Sequence, residues 1–330
     1  MDIILAMTSI HEFSRERFED ARARIAPSIH RTPLVPSRTL SDRIGAPVYL
    51  KCENLQKTGS FKVRGALHRL LRLSDEERAR GVATISAGNH AQAVAWAASA
   101  AGVKSLVVMP EHASPMKARA SREYGAEVVL HGDATAAFKK VFELADDRGL
   151  TFVHPFDDPE VVAGHGSCGL EIAEDLPDVR TVVVPVGGGG LSSAIATSLA
   201  FVKPGVAVWG VEPEGAPAMH RSLEAGRALH LDAVSTVADG LAAPMAGVLN
   251  HQLLAEHARG VILVTDDEIV AALHVLLERT KLLAEPAGAA GLAALLAGRV
   301  PLDDSGPVVV VISGGNVDLA SLGSLLERAV

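Results

Sequence analysis

The chain has 330 residues, of which 48% are hydrophobic and 4% aromatic, and its formal net charge is -8. A chain of this length is expected to bury a large core and to divide into two domains. The acidic balance and the lack of a long basic run argue against nucleic acid as a partner.

Short runs of β-branched residues alternate with amphipathic helical patterns along the chain. The uncharged runs predict parallel strands covered by helices on both faces, which is an α/β fold. The predicted strands are residues 48–52, 82–85, 105–109, 127–130, 181–184, 207–211 and 308–312. The predicted helices include residues 89–101, 115–124, 135–148 and 266–281. Loops that follow strands are the expected places for chemistry, because ligands bind at the carboxyl ends of parallel strands.

The domain organisation has to come from topology, since no repeat and no Gly/Ser linker divides the chain. The block from about Gly81 to His154 holds a strand–helix series of its own. We therefore predict a discontinuous larger domain of residues 1–78 and 156–330, with a smaller domain of residues 79–155 inserted into it.

Compartment and cysteine state follow from composition. No apolar stretch reaches the ~20 residues of a membrane span. Residues 1–7 contain a short apolar run, but they lack the basic flank and the clear cleavage site of a signal peptide. Cys52 and Cys168 lie far apart in the sequence and lack metal-ligand spacing, so we expect buried, reduced thiols in a cytoplasmic protein.

Four consecutive glycines follow the predicted strand 181–184 and precede a helical pattern that begins near Leu191. Backbone N–H groups without side chains around them can converge on a phosphate at a helix N-terminus. The segment also nearly matches a dinucleotide fingerprint, with Ser192 in place of the third glycine and Glu212 where a ribose-binding acid would lie. On this segment alone, an NAD-dependent dehydrogenase stays open.

Three further segments carry polar residues at loops next to predicted strands. Lys62 stands at the start of a helix beside Phe61, and apolar neighbours disfavour an ammonium ion, which suits an amine nucleophile. Ser86-Ala87-Gly88-Asn89-His90 opens a helix whose free N–H groups can hold a carboxylate. Ser313-Gly314-Gly315-Asn316 presents a hydroxyl at the end of a buried strand. Taken singly, each segment is also consistent with a surface lysine or an ordinary turn and helix cap.

Together these segments, in this order and spacing, resemble the fold-type II pyridoxal-phosphate (PLP) enzymes, in the branch of threonine/serine dehydratases (ammonia-lyases) and serine racemases. The resemblance runs from Arg31-Thr32-Pro33-Leu34 through Lys281-Leu282-Leu283-Ala284-Glu285-Pro286 to Ser313-Gly314-Gly315-Asn316. It implies a tryptophan synthase β-like fold of two open, twisted, mostly parallel sheets, in which the smaller domain is mobile and grips the substrate. A dehydrogenase has no use for Lys62 or Ser313.

The resemblance also implies roles for single residues. Lys62 would be the catalytic residue and would carry the cofactor as an internal aldimine, with Phe61 beside it. Asn89 would bind the phenolic oxygen of the ring, Ser313 would contact its pyridine nitrogen, and Glu285 would lie near the ring. Gly314 would also belong to the cofactor site. The residues expected to hold the phosphate are Gly187, Gly188, Gly189, Gly190 and Leu191. The residues expected to hold the substrate are Ser86, Ala87, Gly88, Asn89 and His90.

The implied activity is α,β-elimination of water from L-threonine or L-serine, giving 2-oxobutanoate or pyruvate and ammonia. A larger substrate, such as phenylserine or an intermediate of hydroxyectoine breakdown, stays open because His165 and Cys168 replace the Gln and Thr of many relatives. Racemases carry a serine where this chain has Ala87, and residues 133–137 lack the cation that a hydroxyaspartate would require. A non-catalytic ligand-binding relative is the alternative outside enzymes.

The divalent-cation site of the racemases is only partly matched. Glu212 matches one carboxylate ligand and Ala216 a backbone carbonyl, but Ala218 stands where a second acid is expected. One carboxylate makes a poor Mg²⁺ or Ca²⁺ site, and a purely structural role for Glu212 stays open. Because relatives are commonly dimers, we expect a homodimer.

Overall fold

The structure is a computed structural model that describes residues 10–302 and 306–327. The predicted absence of a signal peptide concerns residues 1–7, which lie outside these ranges. Within them, none of the helices combines the length and the apolar character needed to cross a bilayer.

The elements alternate between strands and helices, as the sequence pattern predicts. The strands are β1 (Leu34–Pro36), β2 (Val48–Lys51), β3 (Val82–Ile85), β4 (Ser105–Met109), β5 (Glu127–Leu130), β6 (Thr151–Phe152), β7 (Thr181–Pro185), β8 (Ala207–Pro213), β9 (Gly260–Val264) and β10 (Val308–Val311). The helices are α1 (Arg15–Ile25), α2 (Arg38–Ile44), α3 (Lys62–Leu71), α4 (Asp75–Arg80), α5 (Asn89–Ala101), α6 (Pro115–Glu123), α7 (Ala134–Arg148), α8 (Pro159–Asp175), α9 (Gly190–Val202), α10 (Ala218–Ala225), α11 (Val248–His257), α12 (Asp266–Val275), α13 (Pro286–Leu296) and α14 (Leu319–Leu326).

The strands form two sheets. The larger has the order β1-β2-β10-β7-β8-β9, and all its neighbours are parallel except the antiparallel pair β1 and β2. The smaller has the order β5-β4-β3-β6 and is parallel throughout. Its strands all lie between residues 82 and 152, whereas the exact domain boundaries stay a prediction. The predicted α/β fold with two mostly parallel sheets is confirmed.

Alternate residues of the central strands point into two separate cores. Val308 and Val310 of β10 pack towards α12 and α13 on one face, while Val309 and Val311 pack towards α8 and α9 on the other. A strand covered on both faces has no polar side to expose, which explains the uninterrupted valines of β10.

Three strands have no counterpart among the predicted elements. Strands β1 and β6 contain three and two residues, too few for periodicity to identify. The apolar run of β9 continues directly into the capping box formed by Thr265 and Glu268, and a short apolar run beside a helix signal is ambiguous.

The helix predicted over residues 266–281 is interrupted. Regular α-helix ends at Val275, and a π-helical turn, Leu276–Thr280, follows it. Lys281 then adopts the left-handed conformation, with φ 62°, and its backbone N–H donates to the carbonyl oxygen of Leu276. This closure turns the chain away from the helix axis and leads it to Glu285 at the start of α13.

Candidate active site

A cavity of about 330 Å³ lies where the carboxyl ends of β3, β7 and β10 meet the start of α3. The structure brings nearly all of the predicted cofactor and substrate residues into its wall. These residues are Phe61, Lys62, Ser86, Ala87, Gly88, Asn89, His90, Gly187, Gly188, Gly189, Gly190, Leu191, Glu285 and Ser313. Gly314 contributes its backbone behind the wall, where its carbonyl oxygen accepts a hydrogen bond from the N–H of Glu285 at 3.1 Å.

Lys62 begins α3, and its position is tied to the end of β10. The backbone N–H of Phe61 donates to the carbonyl oxygen of Ser313 at 3.1 Å, which holds the lysine beside that serine. The Lys62 amine donates to the carbonyl oxygen of Pro155 at 2.7 Å. Burial lowers the pKa of Lys62 to about 8, against the opposing effect of Glu285. The amine is therefore neutral far more often near neutral pH than an exposed lysine is.

Asn89 lies in a chain of polar side chains that fixes its orientation. Its Nδ2 donates to Glu285 Oε1 at 2.6 Å, and its Oδ1 accepts from Asn316 Nδ2 at 2.9 Å. Asn316 also donates to the carbonyl oxygen of Thr58 at 2.6 Å. Because an amide nitrogen carries two hydrogens, Asn89 keeps one donor for a ligand in the cavity. Burial raises the pKa of Glu285 to about 7, so this carboxyl group is partly protonated at neutral pH.

The glycine loop between β7 and α9 has the properties of an oxyanion site. The backbone N–H groups of Gly188, Gly189, Gly190 and Leu191 have no acceptor among the described residues. Gly189 adopts φ 96°, a left-handed conformation that favours glycine. These unpaired donors at a helix N-terminus provide the partial positive charge that a phosphate needs.

The ring of Phe156 lies against the glycine loop, a contact that sequence reasoning missed. A Cβ atom at Gly188 would collide with this ring, so any other residue there would force the ring or the loop to shift. The segment is shaped by His154, whose Nδ1 accepts the backbone N–H groups of Phe156 and Asp157 at 3.2 and 2.8 Å. Burial, with a smaller effect from Lys62, lowers the pKa of His154 to about 4 and keeps it a neutral acceptor. Asp157 in turn accepts backbone N–H groups at the start of α11.

A buried ion cluster lies behind Lys62 on the same helix. Arg64 donates to both carboxylate oxygens of Glu53 at 2.7 and 2.8 Å and to both of Glu171 at 2.8 Å. The Lys51 amine reaches Glu171 Oε2 at 2.6 Å. All four side chains are essentially inaccessible to solvent. The cluster joins α3 to β2 and α8, and so it holds the helix that presents Lys62.

The residues predicted for a cation site lie elsewhere. Glu212 is fully buried at the end of β8, and its two carboxylate oxygens accept the backbone N–H groups of Met219 and His220, each at 2.8 Å. Burial raises its pKa to about 8. Ala216 is buried in the loop before α10. In the described part of the chain, no group of three or more His, Cys, Asp or Glu side chains has an arrangement that could hold a metal ion.

A family described as pyridoxal-phosphate dependent enzyme matches residues 25–314. The chain belongs to this family. The PLP-dependent enzymes to which it is similar include an L-threonine ammonia-lyase of Geobacter sulfurreducens, 46% identical over 94% of this chain and 78% of that protein. They also include a catabolic L-threonine dehydratase of Staphylococcus aureus strain N315, 41% identical over 99% of this chain and 95% of that protein.

Solved structures of PLP-dependent enzymes also match nearly the whole chain. A maize serine racemase superposes with a TM-score of 0.91 at 34% identity, covering 96% of this chain and 97% of that chain. A T.th. threonine deaminase gives 0.87 at 43% identity, covering 93% and 99%. The predicted membership of the fold-type II PLP enzymes is thereby confirmed.

Proposed function

We propose that this PLP-dependent enzyme is an ammonia-lyase that eliminates water from L-threonine or L-serine, releasing ammonia and 2-oxobutanoate or pyruvate. The observation that carries the proposal is the cavity that joins a lysine amine, an asparagine donor, a serine hydroxyl and a glycine cradle. Similar proteins that cover nearly the whole chain are named for the same reaction on L-threonine.

The wall residues fit the cofactor part by part. The N–H groups of the glycine loop would bind the phosphate, the spare Nδ2 hydrogen of Asn89 would serve the phenolic oxygen, and the Ser313 hydroxyl would serve the ring nitrogen. Lys62 would hold the cofactor through its amine. When bound, PLP supplies the electron sink that lets an amino acid lose its Cα proton.

The chain's own groups then handle the proton and the substrate. Lys62 takes the Cα proton, and a pKa of about 8 suits a base that works near neutral pH. The free N–H groups at the start of α5, next to Ser86 and Gly88, bind the substrate carboxylate. Ala87 has no proton to donate to the other side of the substrate, which favours elimination over racemisation.

The positions of His165 and Cys168 bear on whether the substrate is larger than threonine. His165 and Cys168 are fully buried. His165 packs against the ring of Phe61, with ring centres 4.8 Å apart, and its Nδ1 accepts the N–H of Gly65 at 3.1 Å. Neither residue belongs to the cavity wall among the described residues. They therefore give no reason to expect a larger substrate.

A panel of β-hydroxy amino acids tests the proposed function. The PLP-loaded protein would be given L-threonine, L-serine and threo-phenylserine, and ammonia and 2-oxo acids would be quantified by mass spectrometry. We expect 2-oxobutanoate and pyruvate from the first two and far less product from the third. No turnover of L-threonine or L-serine would contradict the proposal.

Substitution of Gly188 by alanine should weaken cofactor binding. The new Cβ forces either the Phe156 ring or the glycine loop to shift, and overpacking of about 1–3 kcal/mol corresponds to about 5- to 150-fold in the PLP dissociation constant. The constant would be measured by titrating the apoprotein and following cofactor absorbance. Gly323→Ala is the control, since a Cβ atom there meets nothing within 4 Å. Unchanged affinity in Gly188→Ala would show that the loop does not hold the phosphate.

For the divalent cation, we propose that Glu212 serves to cap α10 and that the enzyme works without a metal ion at this position. Both oxygens of Glu212 are already engaged by backbone donors. Treatment with EDTA followed by gel filtration should leave kcat and the melting temperature unchanged, and added Mg²⁺ or Ca²⁺ should not raise either. A rise in stability with Ca²⁺ that disappears in Glu212→Gln would refute this.

We further propose a cytoplasmic homodimer in which residues 79–155 move as a unit against the rest of the chain. The self-contained four-stranded sheet supports such a unit. Analytical ultracentrifugation of the PLP-loaded protein tests the dimer, and scattering with and without substrate tests the movement.

A further inference from the structure

An ion pair stands in the wall of the cavity. The Lys117 amine donates to Asp239 Oδ2 at 2.7 Å, and both residues line the cavity. The Lys117 side chain is 14% exposed and that of Asp239 is 64% exposed. Lys117 belongs to α6, which follows the smaller sheet's β4, whereas Asp239 begins a 3₁₀ turn, Asp239–Leu241, that packs beside α13.

The pair acts electrostatically on the interior of the cavity. Burial is the largest influence on the pKa of Glu285, but Asp239 raises that pKa further and Lys117 lowers it. Both charges therefore influence Glu285, the residue that accepts a hydrogen bond from Asn89. They belong to the chemistry of the site rather than to a remote surface.

Only four Lys, Arg, Asp or Glu side chains line the cavity among the described residues, namely Lys62, Lys117, Asp239 and Glu285. Lys62 is assigned to the cofactor, and Glu285 accepts a hydrogen bond from Asn89. Lys117 is therefore the cation left for a substrate side chain, and Asp239 already occupies it.

We infer that Asp239 masks Lys117, and that this masking makes the site select β-hydroxy amino acids with an uncharged side chain over those that carry a second carboxylate. The inference rests on the proposed function and extends it to substrate class. A second carboxylate would have to displace Asp239 from Lys117 or lie unpaired beside it. Either arrangement is unfavourable, because like charges repel and a displaced ion loses its partner.

The mask changes the explanation that the sequence suggests. On sequence alone, acidic substrates are excluded because residues 133–137 contain no cation. In the structure Asp133 caps α7 by accepting the N–H of Ala136 at 2.8 Å, and the cavity does contain a cation. The preference for substrates with an uncharged side chain thus depends on Asp239 and not on the absence of a cation from the cavity.

If the ion pair served only to hold α6 against the turn at Asp239, the variants would behave differently. Removing either charge would break the same ion pair, so the two single variants would have similar effects. Masking predicts opposite effects, because loss of Asp239 uncovers a cation and loss of Lys117 does not.

Three variants separate these cases: Asp239→Asn, Lys117→Met and the double variant. The first measurement is the ratio of kcat/KM for threo-3-hydroxyaspartate to kcat/KM for L-threonine, in PLP-loaded protein. We expect this ratio to rise by about tenfold or more in Asp239→Asn, to stay level or fall in Lys117→Met, and to show no rise in the double variant. An equal change in the two single variants, or no rise in Asp239→Asn, would overturn the mask.

A second measurement does not depend on turnover. The melting temperature of each PLP-loaded variant would be recorded with succinate and with butyrate, which differ by one carboxylate. Succinate should stabilise Asp239→Asn more than butyrate does, and this preference should disappear in the double variant. If the wild-type protein fails to release ammonia but this preference is observed, the proposed function is wrong and the mask stands. If ammonia is released and the preference is missing, only the mask is wrong.

Discussion

Replacement of Lys62 by alanine is expected to abolish ammonia release from L-threonine, with kcat lowered by more than about 10⁴-fold. The lysine performs two tasks in the proposed function, since its amine carries the cofactor and takes the Cα proton. No other lysine replaces it, because the second lysine of the cavity wall, Lys117, is engaged by Asp239. Ammonia release by the variant would be followed in a coupled assay.

Reduction with borohydride tests whether the cofactor is attached to Lys62. Reduction of the wild-type holoenzyme should fix the cofactor mass on the peptide that contains Lys62, and no peptide of Lys62→Ala should carry it. Lys57→Ala, in the loop just before Lys62, is the matched control and should be labelled and active like the wild type. Covalent attachment of PLP to the apoprotein should accelerate as pH rises towards about 8, because the neutral amine is the nucleophile and its pKa lies below the ordinary 10.5. Retention of attachment and ammonia release in Lys62→Ala would refute the proposed role.

Replacement of Arg64 by methionine should lower the free energy of unfolding by about 3–5 kcal/mol. Methionine nearly fills the space, so the main effect is the loss of charge beside Glu53 and Glu171. Lys51 still reaches Glu171 at 2.6 Å, but Glu53 keeps only the hydroxyl of Thr32. A buried carboxylate without a hydrogen-bonded cation is costly, and the more distant charge of Lys51 offsets only part of that cost. We therefore expect this to be the largest effect on stability.

Urea denaturation of the variant and the wild type would measure the difference. Arg38→Met is the control and should cause no measurable change, because Arg38 is 95% exposed and lies 3.8 Å from Asp42. In the wild type, burial would raise the pKa of Glu53, but the charge and hydrogen bonds of Arg64 lower it overall below the ordinary 4.5. This group therefore stabilises the fold above that pH and loses its contribution as pH falls.

Without Arg64, burial, which is the largest influence and raises the pKa of Glu53, would be opposed only by the charge of Lys51 and the hydroxyl of Thr32. We therefore expect the pKa of Glu53 to rise in the variant, which makes protonation more favourable in the folded state. The gap in stability between the variant and the wild type should thus narrow as pH falls towards 4.5. A gap that is small at neutral pH, or that does not narrow in acid, would show that the cluster contributes little to stability.

The residues that the structure brings together in the cavity could be predicted from sequence because each lies close after a strand or at the first turn of a helix. The four glycines follow β7, Asn89 begins α5, Ser313 follows β10 and Lys62 begins α3. Strand, loop and helix signals are local, and parallel strands place the loops after their carboxyl ends along the same edge. Asn316, whose amide donates to Asn89, could also have been predicted as a site residue, because it belongs to the same short segment as Ser313.

Other contacts depend on packing between elements that are far apart in sequence. Lys62 and Pro155 are 93 residues apart, Lys117 and Asp239 are 122 apart, and Arg64 and Glu171 are 107 apart. Lys117 carries a weak signal, since it lies in the first turn of the helix that follows β4. Asp239 carries none, because the segment around it has no periodic pattern.

The sequence by itself determined the alternation of strands and helices, the glycine loop before a helix and the lysine at a helix start, because these depend on the chemistry of neighbouring residues. Only the tertiary structure decided that Glu212 caps a helix, that Arg64 lies between two carboxylates, and that Asp239 covers Lys117. The physical reason is that the effect of a charge depends on what lies within a few ångströms of it. Those neighbours are set by how the two sheets and their helices pack, and local periodicity carries no record of that packing.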